Sequence, residues 1–135
     1  MKSIVVGCGR AGAQVAITLW QEGNQVTVVD TEPEAFLLLP KDMRELDGVT
    51  ILGDGTQDSV LVRAGIKDCA VFVVTTSNDN CNALAAQKAK RIFGVPKCVC
   101  RVGDLARQDL YQGLGLIAIS STKVASSLIV DAVRD

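Results

Sequence analysis

Ser3-Ile4-Val5-Val6-Gly7-Cys8-Gly9-Arg10-Ala11-Gly12 decides the fold: a short β-branched run passes straight into G-x-G-x-x-G, and helical spacing follows over Ala11–Gln21, ending near Gly23. Bare glycines between a strand and a helix let the backbone turn tightly and come close to a pyrophosphate, which the unpaired N–H groups opening the helix attract. The next β-branched run, Gln25–Asp30, closes on a carboxylate. An acid there accepts hydrogen bonds from both ribose hydroxyls and repels a 2′-phosphate, and neither Thr31 nor Glu32 offers a compensating charge, so NADP is disfavoured. The alternative is a plain tight turn with a surface acid.

The same alternation continues outward. A helix is expected from Thr31 or Pro33 towards Leu39, with Pro40 stopping or bending it. A third strand follows at Val49–Leu52. Next come a short helix over Asp58–Ala64 with Gly65 as its cap, a strand over Ala70–Thr75, and the longest helix over Asp79–Phe93, ended by Gly94 and Pro96. Lys97–Arg101 reads as the fifth strand, Asp104–Gln112 as a helix capped by Gly113, Leu116–Ser120 as the sixth strand, and the last helix starts near Ser121. Runs such as Val71-Phe72-Val73-Val74 are apolar throughout, which a parallel sheet covered on both faces requires. The expectation is one domain over 1–135: a doubly wound Rossmann-type α/β fold of three layers, with a six-stranded parallel sheet in the order 3-2-1-4-5-6.

Composition narrows the chemistry. In 135 residues, 48% are hydrophobic and 21% charged, enough for one substantial core. The net charge of −1 offers no field for gripping nucleic acid or an anionic membrane. No apolar run nears the roughly 18 residues of a membrane span, and the start is too short in its apolar part for a secretory signal. Five cysteines without scaffold spacing agree with a reducing, cytoplasmic setting. Histidine is absent, which removes the commonest general base and metal ligand, and the cysteine spacing forms no zinc site. Most of the cysteines read as small buried hydrophobes; Cys8, at a helix N-terminus, is expected to have a lowered pKa and to be oxidisable. Arg10 falls in the first helical turn, where the macrodipole opposes a cation, so an anionic ligand is expected to compensate; a solvated arginine is the alternative.

Taken together, Gly7-Cys8-Gly9-Arg10-Ala11-Gly12, Asp30, Gly53-Asp54-Gly55-Thr56, Ala64-Gly65-Ile66, Thr76–Asn82 and Gly94-Val95-Pro96 recur in one order. Over essentially its whole length the chain resembles the RCK N-terminal domain, also called KTN or TrkA-N, of regulators of potassium channels and Trk/Ktr potassium transporters. The resemblance implies a nucleotide-binding regulator rather than an enzyme. Its expected partners are a membrane potassium channel or transporter subunit and further copies of itself, and its expected place is the inner face of the cell membrane. Carried over, Gly7, Cys8, Gly9, Arg10, Ala11 and Gly12 hold phosphates and Asp30 with Thr31 the ribose. Asp54, Gly55 and Thr56 lie on the adenine side, unless Gly-Asp-Gly is only a polar turn.

Thr75, Thr76, Asp79, Asn82 and Arg101 belong to the switch-point end of the crevice on the same resemblance. Asp79 reads equally as a helix N-cap, and Arg101 equally as half of a surface ion pair. Asn80 departs from the acidic residue found in many relatives, which puts a carboxylate-dependent contact there in doubt. Relatives usually continue into a smaller ligand-binding domain, so the chain is a stand-alone subunit or a cut one. ATP or ADP, favoured by Arg10, and NAD or NADH, favoured by Asp30 and the fingerprint, both stay open.

The rival reading is a small NAD-dependent oxidoreductase. No segment is left for a substrate domain, histidine is missing, and Tyr111 has no lysine four residues on. From Val124 the apolar residues Val124, Ala125, Leu128, Ile129, Ala132 and Val133 form one helical stripe. That stripe covers either the chain's own sheet or a second copy.

Overall fold

The computed structural model describes all residues, Met1–Asp135. Strands β1 (Lys2–Val6), β2 (Gln25–Asp30), β3 (Thr50–Leu52), β4 (Val71–Val74), β5 (Lys97–Val102) and β6 (Ile117–Ser120) form one parallel sheet in the order β3-β2-β1-β4-β5-β6. Six α-helices accompany it: α1 (Arg10–Gln21), α2 (Lys41–Arg44), α3 (Asp58–Arg63), α4 (Asp79–Arg91), α5 (Leu105–Gly113) and α6 (Ser121–Arg134). The order reverses between β1 and β4, so the loops after these two strands diverge and leave a crevice at their carboxyl ends.

Strand alternation divides the core in two. Ile4, Val6, Phe72 and Val74 point to the face covered by α3, α4 and α5, against Leu61, Ala86 and Ala89. Val5, Val28 and Val73 point to the other face, against Ala13 and Ala16 of α1 and against Leu39 and Met43. Both faces of the central strands are dry, as their unbroken apolar sequences require.

Two segments differ from expectation. Residues 33–38 form a 3-10 helix rather than an α-helix running to Leu39. Pro40 forces Leu39 to extended backbone (ψ 147°), and six residues between two prolines are too few to nucleate an α-helix. Gly113 is the last residue of α5, and the left-handed position is Gly115 (φ 83°) instead. Two short elements were not expected, the helix Lys41–Arg44 and a 3-10 turn over Ile66–Asp68; the other boundaries move by one or two residues, and Gly65 takes its expected left-handed conformation (φ 90°).

The last helix departs furthest from the body of the domain. No residue of α6 is buried, and Leu128 and Ile129 are 65% and 63% exposed. The stripe therefore does not cover the chain's own sheet. Ile117 and Ile119 on the edge strand β6 are also open, at 44% and 45%.

Candidate nucleotide-binding site

Each glycine of the first loop meets a different steric demand. Gly7 has φ 101°, a left-handed conformation, and a Cβ there would meet the backbone of Thr75 and Thr76 at 3.1 Å. At Gly12 a Cβ would lie 1.8 Å from the Gly7 carbonyl oxygen, so only a bare Cα lets α1 sit this close to β1. Gly9 has nothing within 4 Å of the corresponding position, which is open space above the loop. Gly9 is also the N-cap of α1 and supplies no side-chain cap, and the first turn holds no acid. The opening N–H groups of a 12-residue helix are thus left for an external acceptor.

Asp30 ties the second strand to this loop. Its Oδ2 accepts from Cys8 N–H at 2.7 Å and its Oδ1 from Glu32 N–H at 2.9 Å. Each oxygen keeps a lone pair for a further donor. In the loop after β3, Asp54 Oδ1 accepts from Thr56 N–H at 2.9 Å and Thr56 Oγ1 at 2.7 Å, and these bonds hold the carboxyl below the usual carboxylate range. Gly55 presses on Val6, which a Cβ would approach to 2.4 Å. Lys88 of α4 donates to the Thr56 carbonyl at 2.8 Å and to Asp58 at 2.9 Å, pinning the loop from beneath.

These loops enclose a cavity of about 500 Å³ over the carboxyl ends of the strands. Its floor is Val6, Val29 and Val74, and Gly7, Gly9, Arg10, Ala11, Asp30, Thr31, Asp54, Gly55, Thr56, Thr75, Thr76 and Arg101 line it. Carboxylates of Asp30, Glu32 and Asp54 gather on one side, while Arg10 and Arg101 also line it and take part in none of the domain's ion pairs. A hydroxyl-rich group on the acidic side and an anion beside the arginines match that division of charge.

The profile of the TrkA-N domain matches residues 3–122. The chain belongs to the TrkA-N family. Among its relatives is the Trk system potassium uptake protein TrkA of Streptomyces coelicolor, 33% identical over 123 residues that cover 91% of this chain and 54% of that protein. Another is the TrkA homolog of Methanothermobacter thermautotrophicus, 30% identical, covering 86% of this chain and 52% of that one. The chain thus spans about half the length of these two relatives. Of solved structures, the TrkA-N domain of Escherichia coli inner membrane protein ybaL superposes with a TM-score of 0.83 at 15% identity, covering 97% of this chain and 95% of that one. GsuK bound to ADP and the GsuK channel bound to NAD each give 0.79 at 21% identity, covering 96% of this chain and 33% and 22% of theirs.

Within this TrkA-N domain, four of the residues expected at the site do not line the cavity. Cys8 points away: its Sγ is buried and donates to the Ala35 carbonyl at 3.3 Å, between α1 and the 3-10 segment. Its thiol is pushed up to about 11 by burial and then by Asp30, the reverse of the lowering expected at a helix N-terminus. Desolvation wins because the side chain leaves the helix axis for the core. Gly12 lies under the loop as a packing point. Asp79 is not the N-cap and does not line the cavity. It is the first residue of α4, and its carboxylate accepts from Gly103 N–H at 2.9 Å and Asp104 N–H at 3.2 Å. The N-cap is Asn78, accepting from Cys81 N–H at 3.0 Å.

Asn82 is fully buried behind the wall. It accepts from Thr76 N–H at 3.0 Å and donates to the carbonyls of Thr76 at 2.9 Å and Arg101 at 3.1 Å, bracing the ends of β4 and β5 together. Asn80 accepts from Arg107 at 2.9 Å. Arg101 pairs with no acid, which removes the surface ion pair considered for it. Glu32, Gly53, Ser77, Asn78, Cys81 and Ala85, outside the expected site residues, complete the cavity wall. For Cys81 and Ala85 the signal was their i, i+4 spacing on one face of α4.

Proposed function

We propose that this chain is a nucleotide-binding regulatory domain of a potassium transport system, without catalytic activity of its own. The observation that carries the reading is a single cavity that joins an uncapped helix N-terminus, two arginines outside any ion pair and a ribose-suited carboxylate. The residues fit an adenine nucleotide. The N–H groups around Gly9, Arg10 and Ala11 hold phosphate, and Asp30 with Thr31 accepts from the ribose. Asp54, Gly55 and Thr56 flank the base, and Thr75, Thr76 and Arg101 close the switch-point side. ADP and NAD, found with the similar GsuK structures, are the first ligands to test, with ATP and NADH.

A dehydrogenase draws no support from the site. The chain has no histidine, and Tyr111 is buried in the core on the α5 side. Regulation needs only a crevice and a part whose arrangement differs between liganded states. The open stripe of α6, with Ile117 and Ile119, supplies an apolar surface for a second copy of the chain. No helix is long and apolar enough to cross a membrane. On this reading the domain meets the bilayer through a channel or transporter subunit.

The test is thermal unfolding with ATP, ADP, AMP, NAD and NADH at equal concentration. A ligand at 100 times its Kd adds about 2.7 kcal/mol. The unfolding entropy of a 135-residue domain, about 0.28 kcal/mol/K, converts this to a Tm rise of about 10 °C. No rise with any of the five refutes the reading.

A further inference from the structure

Arg101 stands between the cavity and the exposed last helix. By strand alternation it shares a sheet face with Val99, and it is among the residues that line the cavity. Its Nε donates to Ser121 Oγ, on the first residue of α6, at 3.3 Å, and its Nη1 donates to the Thr76 carbonyl, also at 3.3 Å. Both bonds lie beyond the usual length and both acceptors are neutral. The Thr76 carbonyl keeps the Asn82 bond if Arg101 leaves, so only Ser121 loses a partner. No carboxylate competes for this half-buried cation.

A phosphate oxygen in the cavity is a stronger acceptor for a guanidinium than a serine hydroxyl or a peptide carbonyl, because the bond is charge-assisted at both ends. Since α6 buries none of its residues, side-chain ties at its start matter more than they do for a packed helix. Two such ties reach it from the β5 region: Arg101 to Ser121, and Thr122 Oγ1 donating to the Gly103 carbonyl at 3.1 Å.

We propose that Arg101 is the coupling residue of this domain: phosphate in the crevice draws its guanidinium off Ser121 and so loosens the first turn of α6. The proposal rests on the nucleotide-binding reading above and adds to it a direction and a sign. By linkage, whatever holds the Arg101–Ser121 bond weakens phosphate binding, and whatever removes Ser121 strengthens it by the same factor. A ligand without a phosphate has no purchase on α6.

The experiment measures amide hydrogen exchange over the first two turns of α6, with nucleotide affinity by calorimetry, on the whole 135-residue chain with ADP and with NAD. In the wild type, saturating ADP should speed α6 exchange by about five-fold, the low end of ordinary coupling strengths. Ser121→Ala should show the fast exchange already without ADP, respond no further, and bind ADP about five-fold more tightly. Arg101→Gln should bind ADP more weakly and lose the α6 response, and Arg101→Lys, which keeps the charge, should recover part of the binding.

Thr122→Ala, which loosens the same turn but leaves the Arg101 donor and the Ser121 acceptor in place, should speed exchange and raise ADP affinity by clearly less than Ser121→Ala does. The coupling is refuted by unchanged ADP affinity in Ser121→Ala, by an equal gain in Thr122→Ala, or by wild-type α6 exchange that ignores a bound nucleotide. The binding reading survives each of these results. Absence of binding by both ADP and NAD refutes both.

Discussion

Gly12 and Gly9 lie three residues apart in one motif, yet alanine should affect them in opposite ways. At Gly12 the added carbon falls 1.8 Å from the Gly7 carbonyl oxygen, 2.9 Å from its carbon and 2.7 Å from Thr75 Oγ1. Thr75 can rotate, but the Gly7 carbonyl is backbone: the Gly7 N–H donates to the Val29 carbonyl at 2.8 Å, and the Cys8 N–H of the following peptide unit donates to Asp30 at 2.7 Å. Relief therefore requires α1 to move off β1, opening the contacts that bury Ala13 and Ala16. Overpacking of this kind costs about 3 kcal/mol. At about 0.28 kcal/mol/K for 135 residues, the Tm of Gly12→Ala should fall by about 11 °C.

At Gly9 the added methyl meets nothing, and φ is −77°, a conformation alanine adopts freely. Its Tm should stay within about 2 °C of wild type, since strain-free surface substitutions change stability by less than about 0.5 kcal/mol. The methyl nevertheless stands where the backbone would approach a phosphate, so the Tm rise given by saturating ADP should shrink by more than half. Thermal unfolding of both variants with and without ADP decides the matter. Gly12→Ala at wild-type Tm, or Gly9→Ala with a full ADP response, would refute the assignment of packing to one glycine and phosphate approach to the other.

Asp54 is held below the usual carboxylate range by its two Thr56 bonds, so its contribution to stability is present above the unfolded pKa near 3.8 and is lost as pH falls through the folded value. Asp54→Asn should therefore lose stability at pH 7 relative to wild type, with the gap closing in urea melts below about pH 4; a gap independent of pH would show that the carboxylate charge is irrelevant. Cys81 is the one cysteine that lines the cavity, whereas Cys8, Cys98 and Cys100 are buried thiols pushed up to about 11. Native protein treated with a thiol reagent at neutral pH should be labelled at Cys81 by peptide mapping and protected there by ADP; faster labelling of Cys8 would contradict its placement. Leu128→Glu should leave the Tm nearly unchanged, since this side chain is 65% exposed, and should shift the sedimentation of the dimer proposed above towards monomer; sedimentation identical to wild type would exclude α6 from a self-contact.

Much of this was legible in the sequence because it is encoded over a few neighbouring residues. Ile4, Val5 and Val6 running into Gly7, Gly9 and Gly12 state a strand, a left-handed turn and a close helix approach in one stretch. Asp30 follows from its place at the end of β2. The unbroken apolar strands imply a sheet covered on both faces, and chain connectivity then leaves little freedom in the strand order.

Side-chain direction was a different matter. Nothing near Cys8 announces that its thiol meets Ala35, 27 residues away, nor that Asp79 turns to Gly103 and Asn82 to the carbonyl of Arg101. Whether the α6 stripe closes on its own sheet was equally open, since a helical stripe records that a face is apolar and not what it faces. Local backbone preference and hydrophobic period are properties of short segments and survive reading in one dimension. The partner of a polar side chain is a property of distant atoms that meet only when the sheet has assembled, and for Cys8, Asn82, Arg101 and α6 the tertiary structure alone decided it.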